Sequence, residues 1–212
     1  MPRRRTRKEQ QAHTRSCLMR SAAKVFARRG LQQASIDEVA EDAGFTKGAF
    51  YANFKSKEEL FLAMLDERFA GRLEEMERAT SGEEEPEEQA RRAGLDFSQY
   101  LAADPEWQRL FFEFAAYAAR NEEFREELVT RYGALRDRIA SMYERRATEL
   151  GVEPPVPYEQ VAVMTFAMAN GIALERLLEP DAVPDDLFGT MLMVFFTGLR
   201  TLAEESATVV RG

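Results

Sequence analysis

The chain has 212 residues, 45% of them hydrophobic, with one cysteine and a formal net charge of −8. This length is enough for a small unit and a larger one, each with a packed core. One cysteine excludes an internal disulfide and fits a reducing cytoplasm. No uninterrupted apolar run approaches the ~18 residues of a membrane span, so no membrane partner is expected.

The charge is distributed unevenly along the chain. Residues 1–57 carry 13 Lys+Arg against 5 Asp+Glu, whereas residues 58–212 carry 16 against 32. A basic end on an acidic body is the layout of a protein that meets DNA at one end only. We therefore expect two domains, 1–57 and 58–212, linked by a helix at about residues 56–78.

The chain begins with a basic segment, PRRRTRK, at residues 2–8. Two interpretations of it stay open. It is either a tail that only aids solubility or an arm whose Arg3, Arg4 and Arg5 add phosphate or minor-groove contacts. A helical pattern follows at about residues 14–29, and Gly30 is expected to end that helix.

Residues 35–57, SIDEVAEDAGFTKGAFYANFKSK, predict two short helices joined by a tight turn. Ser35 occupies an N-cap position, and apolar side chains recur behind it with the spacing of one helix face. Gly44 can take the left-handed conformation that ends a helix, and Thr46 can cap the next one. Such a pair presents the tip of its second helix to the DNA major groove.

The segments TKGAFYANF at 46–54 and KSKEEL at 55–60, with the two helical patterns before them, resemble the N-terminal domain of the TetR family of bacterial transcriptional regulators. The C-terminal domains of that family diverge widely, so the resemblance is specific for the first part of the chain. It implies that residues 58–212 form a helical domain that binds an effector and dimerises.

The predicted DNA contacts fall into two groups with different chemistry. Phosphate contacts supply affinity, and base contacts supply sequence preference. Glycine inside a helix costs about 1 kcal/mol relative to alanine, and close approach of the helix to a phosphate chain would explain its presence at position 48. The predicted phosphate contacts are Arg3, Arg4, Arg5, Ser35, Tyr51, Asn53 and Lys57, and the residues predicted to reach base edges are Thr46, Lys47 and Ala49. Gly48 is predicted to let the helix tip approach the DNA backbone.

The pattern of the remaining chain predicts helices separated by breaks rich in glycine and proline. Helical patterns cover about residues 87–102, 105–120, 122–150, 157–178 and 184–205. No alternating strand pattern is present in the sequence. We predict an all-α protein of about nine helices.

The last two helical patterns are apolar over more than one face, which a helix lying on a core does not need. Pairing with a symmetry mate would give a four-helix dimer interface, as the resemblance also implies. The alternative is that both helices are simply core. The predicted interface residues are Ala169, Ala173, Leu177, Leu192, Phe195, Phe196 and Leu199.

Members of the resembled family often hold a small molecule within the C-terminal domain. Aromatic and methionine side chains with a few polar groups suit a small hydrophobic or amphipathic effector. An aromatic stripe at helical spacing is, alternatively, ordinary core. The predicted lining residues are Trp107, Phe111, Glu113, Phe114, Tyr117, Met164, Met168 and Asn170.

These patterns predict a cytoplasmic, homodimeric repressor that leaves a palindromic operator on duplex DNA when an effector binds. One alternative is an effector-independent or architectural DNA-binding protein. Another is a helical enzyme, but no nucleophile motif, phosphate loop or metal cluster supports it. We expect no cofactor and no metal.

Overall fold

The computed structural model describes residues 6–80 and 86–210, and every regular element in those ranges is helical. The predicted all-α class is therefore confirmed. A single 3-10 turn, Pro180–Ala182, lies between the last two helices. The helices are α1 Arg7–Gln33, α2 Ile36–Asp42, α3 Lys47–Tyr51, α4 Lys57–Thr80, α5 Pro86–Ala103, α6 Pro105–Ala118, α7 Glu122–Leu150, α8 Tyr158–Leu178 and α9 Leu187–Val210.

Backbone contacts divide the described chain into two compact units. The first unit runs up to Arg68 and also contains Arg109–Leu128, and the second contains Phe69–Gln108 and the chain from Val129 onward. Three helices, α4, α6 and α7, therefore contribute residues to both units. The sequence-based boundary after residue 57 stays a prediction, since no local pattern marks 109–128 as part of the first unit.

The first helix begins earlier than predicted and has one further turn beyond Gly30. It begins at Arg7, because Thr6 and Glu9 form a reciprocal capping box that satisfies two backbone N–H groups. Gly30 ends the regular helical path, as predicted. At φ 73° and ψ 165° this residue kinks the chain, and the helix resumes to Gln33. Those angles lie in a region that is essentially restricted to glycine.

Aromatic side chains form the core of the first unit. Phe26, Phe61 and Phe114 are each at most 1% exposed. The rings of Phe61 and Phe114 are stacked with planes 8° apart, and Phe124 packs against both. This cluster joins α1, α4, α6 and the start of α7 in one hydrophobic contact.

The second unit is built around α4, α7 and α8. Leu73, Ile139 and Ala162 belong to its buried cluster, with Phe69 and Phe166 at the edge. The Tyr143 hydroxyl donates to Thr165 Oγ1 at 3.1 Å, and burial raises the pKa of Tyr143. The unit also contains an extensive contact between α5 and α9.

The helices α8 and α9 leave much apolar surface uncovered. Both are long and apolar enough in composition to cross a membrane, although only 28% and 17% of the relevant windows are buried. Length and composition alone are weak evidence for a span, since other apolar helices meet them too. The exposed apolar residues on this pair are Val163, Met164, Leu174, Leu178, Met193, Val194 and Leu202.

Candidate DNA-binding site

The turn between α2 and α3 has the local geometry predicted from the sequence. Gly44 adopts φ +74°. The Gly44 N–H donates to Glu41 O at 2.9 Å, and the Phe45 N–H donates to Ala40 O at 2.8 Å. This pair of bonds is a Schellman motif, which ends α2 and redirects the chain. The Thr46 hydroxyl then accepts from the Ala49 N–H at 3.2 Å and starts α3.

At the start of α2, Ser35 forms a capping box with Glu38. The Ser35 hydroxyl accepts from the Glu38 N–H at 3.1 Å, and the Ser35 N–H donates to the Glu38 carboxylate at 3.0 Å. These bonds from Ser35, with a contribution from Arg29, lower the pKa of Glu38. Ser35 is exposed, so it stays accessible beside its capping role.

The exposed surface of α3 carries most of the predicted base contacts. Thr46, Lys47 and Gly48 are exposed, and Ala49 is half-buried. A Cβ added at Gly48 would meet only Thr46 Oγ1, at 3.7 Å. No packing within the described residues therefore requires glycine there, and the open side of the helix tip faces solvent.

Lys47 is the one charged side chain on that tip. Its Nζ lies 2.8 Å from Asp37 Oδ2, and both side chains are more than half exposed. The hydrogen bond and charge of Asp37 raise the pKa of Lys47. Exposed ion pairs of this kind contribute little to stability, so a DNA group can compete for the ammonium.

Tyr51 and Asn53 differ in how far they are available to DNA. Tyr51 is 52% exposed, with its ring edge-on to buried Phe50. The Asn53 amide donates to Ala49 O at 2.8 Å.

Arg15 of α1 donates to the Asn53 carbonyl at 3.0 Å and stacks on Phe54 with 4.2 Å to the ring centroid. Arg15 thus secures the end of α3 to α1, a role that the sequence analysis missed.

Lys57 caps a helix. Its ammonium donates to the carbonyls of Leu31 at 2.7 Å, Gln32 at 3.0 Å and Ala34 at 3.1 Å. These carbonyls end α1, where a cation is favoured by the helix dipole. All three donors of the ammonium are engaged in this structure. Arg3, Arg4 and Arg5 lie outside the described residues.

The predicted effector residues fall in both compact units, and each group is described within its own. In the first unit, Phe114 belongs to the aromatic core, and Phe111 is half-buried. The Tyr117 hydroxyl accepts from the Asn121 amide at 3.2 Å, and desolvation raises its pKa. The Glu113 carboxylate accepts from the Leu31 N–H at 2.7 Å.

In the second unit, Trp107 is buried, Met168 and Asn170 are half-buried, and Met164 is 40% exposed. A cleft between α4 and α5 in this unit is open, and most of its lining residues are charged or polar. It is lined by Glu75, Arg78, Arg92, Asp96, Gln99, Tyr100 and Ala103. The described residues contain no group of three His, Cys, Asp or Glu placed to hold a metal.

The predicted dimer residues divide between core and surface. Ala173 and Leu192 are buried within the chain. Ala169, Leu177, Phe195, Phe196 and Leu199 are half-buried. The most exposed apolar residues of this surface, Leu178 and Val194, were not among those predicted. The apolar composition of both helices was the available signal, but composition does not say which side chains the same subunit covers.

Two short capped helices, joined by a Schellman turn and presenting an open helix tip on a basic unit, define a helix-turn-helix DNA-binding regulator. Comparison with known proteins agrees. Residues 18–64 match the family described as bacterial regulatory proteins, tetR family, and residues 86–200 match the C-terminal domain of BetI-type transcriptional repressors. The chain belongs to the TetR family of transcriptional regulators.

Individual relatives cover most of the chain. The HTH-type transcriptional regulator TtgR of Pseudomonas putida is 30% identical over 94% of this chain and 95% of its own length. Two solved structures share the fold at lower identity. One is FadR from Bacillus subtilis with stearoyl-CoA (TM-score 0.69, 16% identity, 84% and 94% covered). The other is a SmeT–triclosan complex (TM-score 0.68, 20% identity, 86% and 90% covered). The matched families and relatives are regulators, not enzymes.

Proposed function

We propose that this protein is a homodimeric repressor that binds a palindromic operator and is released by a small hydrophobic or amphipathic effector. The observation that carries the proposal is the open tip of α3, where Gly48 leaves the backbone uncovered beside exposed Thr46 and Lys47. An uncovered helix tip on a basic unit suits the floor of a major groove better than any contact within the chain.

The DNA contacts divide by chemistry. Thr46, Lys47 and Ala49 reach base edges, with the Ala49 methyl suited to a thymine methyl. Ser35 and Tyr51 are exposed beside them and reach phosphates, with Asn53 and the basic arm. Lys47 leaves Asp37 for the DNA, which costs little because the pair is exposed.

Dimerisation is proposed through α8 and α9. Leu178 is 71% exposed and Val194 is 64% exposed. Several exposed apolar side chains on one pair of helices are typical of a protein–protein interface. Two helices from each subunit would form a four-helix interface. The DNA-binding units of the two subunits would then reach successive major grooves about 34–36 Å apart.

An effector is supported by the relatives. The FadR structure contains stearoyl-CoA and the SmeT structure contains triclosan, both with large apolar parts. An effector releases the operator only to the extent that it binds the released conformer more tightly. The effector-independent alternative predicts a fully packed C-terminal domain. The buried cluster around Ala162, which is 0% exposed, supports that alternative.

The first test is selection of random duplexes on the purified protein at near-physiological salt, followed by sequencing. A palindrome with half-sites about one helical turn apart is the expected result. Absence of any enriched motif, with binding that collapses as salt rises, would contradict the proposal. Thermal unfolding with triclosan or stearoyl-CoA then tests the effector, since a ligand of the folded state raises Tm.

A further inference from the structure

A turn of α1 at residues 30–34 leads directly into the helix-turn-helix. Gly30 kinks the helix, Leu31 and Ala34 are at most 3% exposed, and Ser35 begins α2. The Ala34 N–H donates a hydrogen bond to Gly30 O at 3.2 Å. The path of this turn therefore sets where α2, and α3 after it, lie within the first unit.

Two side chains from other helices hydrogen-bond to the backbone of this turn. The Glu113 carboxylate of α6 accepts from the Leu31 N–H at 2.7 Å. The Lys57 ammonium of α4 donates to three carbonyls of the same turn. An anion at the N–H and a cation at the carbonyls match the polarity of the backbone.

Gly30 makes room for the carboxylate. A Cβ at that position would lie 2.7 Å from Glu113 Oε1. Glu113 as a whole residue is exposed. The described role of its carboxylate is the hydrogen bond to the Leu31 N–H.

We propose that Glu113 is a positioning residue for DNA recognition, which holds the Gly30–Leu31 kink and thereby aligns α2 and α3. This inference rests on the proposed function for its DNA readout. It also reassigns Glu113, which the sequence analysis placed among the effector contacts, to the DNA-binding unit.

The lost charge and the lost contact to Leu31 predict opposite effects of Glu113→Ala on DNA binding, which makes the proposal testable. Removing a carboxylate from a basic DNA-binding unit strengthens attraction to phosphate. Losing the alignment of α3 weakens specific binding. Glutamine is neutral but keeps an acceptor oxygen for Leu31, whereas alanine removes both.

The experiment compares Glu113→Ala, Glu113→Gln and Glu123→Ala on the selected duplex and on a scrambled one. Glu123 is exposed in the same unit, so its variant matches the charge change. We expect Glu113→Ala to bind the selected duplex about tenfold more weakly, a change comparable to one lost hydrogen bond to a charged group. Glu113→Gln and Glu123→Ala should retain wild-type binding, and the scrambled duplex should show no loss with any variant.

Hydrogen exchange at the Leu31 amide gives a readout without DNA. Exchange should accelerate in Glu113→Ala and stay slow in Glu113→Gln. Three results would each overturn the inference. Glu113→Ala could bind the selected duplex as tightly as wild type or more tightly, or Glu113→Gln could bind it as weakly as Glu113→Ala. The third result is an unchanged exchange rate of the Leu31 amide in Glu113→Ala. If the wild-type protein itself selects no duplex, the proposed function fails instead, and the exchange result separates the two failures.

Discussion

Polar side chains at the DNA-binding surface have structural bonds as well as proposed DNA contacts. Ser35 and Thr46 cap helices, and the Asn53 amide bonds back to Ala49. These residue types are favoured at such positions by local hydrogen bonding alone. A residue's type and position therefore do not separate a capping role from a recognition role, and the separation requires paired measurements of stability and binding.

Gly48→Ala should separate stability from binding. The added Cβ meets only Thr46 Oγ1, and alanine is favoured over glycine in a helix by about 1 kcal/mol. We expect the free energy of unfolding to rise by up to about this amount while operator affinity falls. Chemical denaturation and gel-shift titration measure the two quantities. An alanine variant that binds as tightly as wild type would remove Gly48 from the proposed interface.

Lys57→Met tests whether this lysine is a cap or a phosphate contact. Methionine keeps an apolar stem but leaves three carbonyls without the ammonium. As a cap, Lys57 should contribute about 1–3 kcal/mol of stability, with no effect on the salt dependence of DNA binding. As a phosphate contact, its loss should lower the slope of log K against log salt by about one. Lys55→Met, at an exposed neighbouring lysine, is the control.

At the scale of elements, helix ends follow local rules, whereas helix contacts do not. Asp104 accepts from the Trp107 N–H at 3.0 Å and Asn121 accepts from the Phe124 N–H at 2.9 Å, so α6 and α7 begin where cap residues predict. The close contact of α5 with α9 depends instead on Gly94 facing Gly189, whose backbone atoms a Cβ on Gly94 would overlap.

Gly94→Ala should therefore destabilise the second unit, because backbone cannot move aside as a side-chain end does. Overpacking of this kind costs about 1–3 kcal/mol or more. Gly71→Ala is a matched control, since Gly71 lies within helix α4 with nothing near its Cβ position. That variant should be neutral or slightly stabilising. Denaturation midpoints for the two proteins give the comparison, and equal stability would contradict the tight crossing.

At the scale of the whole molecule, the proposed dimer depends on the apolar surface that one subunit leaves uncovered. Leu178→Glu combined with Val194→Glu should shift the protein from dimer to monomer, because both side chains are more than half exposed in the subunit. Burying two charges at an interface without partners is strongly unfavourable. Sedimentation at several protein concentrations reports the change.

The control for that experiment is Val129→Glu. Val129 is 55% exposed and belongs to α7, not to α8 or α9. It should leave the dimer intact, and its operator binding should stay at the wild-type level. A double variant that remains dimeric would remove this surface from the proposed interface. A double variant that is monomeric but still binds the operator at full strength would contradict a requirement for two DNA-binding units.

Much of the fold could be predicted because its signals are local. Caps, glycine stops and helical periodicity act over four or five residues, so they specified the class, the helix order and the turn at Gly44. The capping box of Thr6 with Glu9 was also present in the sequence, yet the first helix was predicted to begin later. The uneven charge along the chain pointed to DNA at the first domain without any structure.

The tertiary structure decided which partner each side chain meets. Glu113 and Leu31 are 82 residues apart in sequence, and no pattern connects a carboxylate on α6 to a kink in α1. Lys57 and its carbonyls, and Gly94 with Gly189, are likewise distant pairs. The sequence by itself determined the helices and the family, because those depend on neighbouring residues. Only the folded chain determined which residues hold the DNA-binding surface in position, because those contacts exist only after distant segments pack.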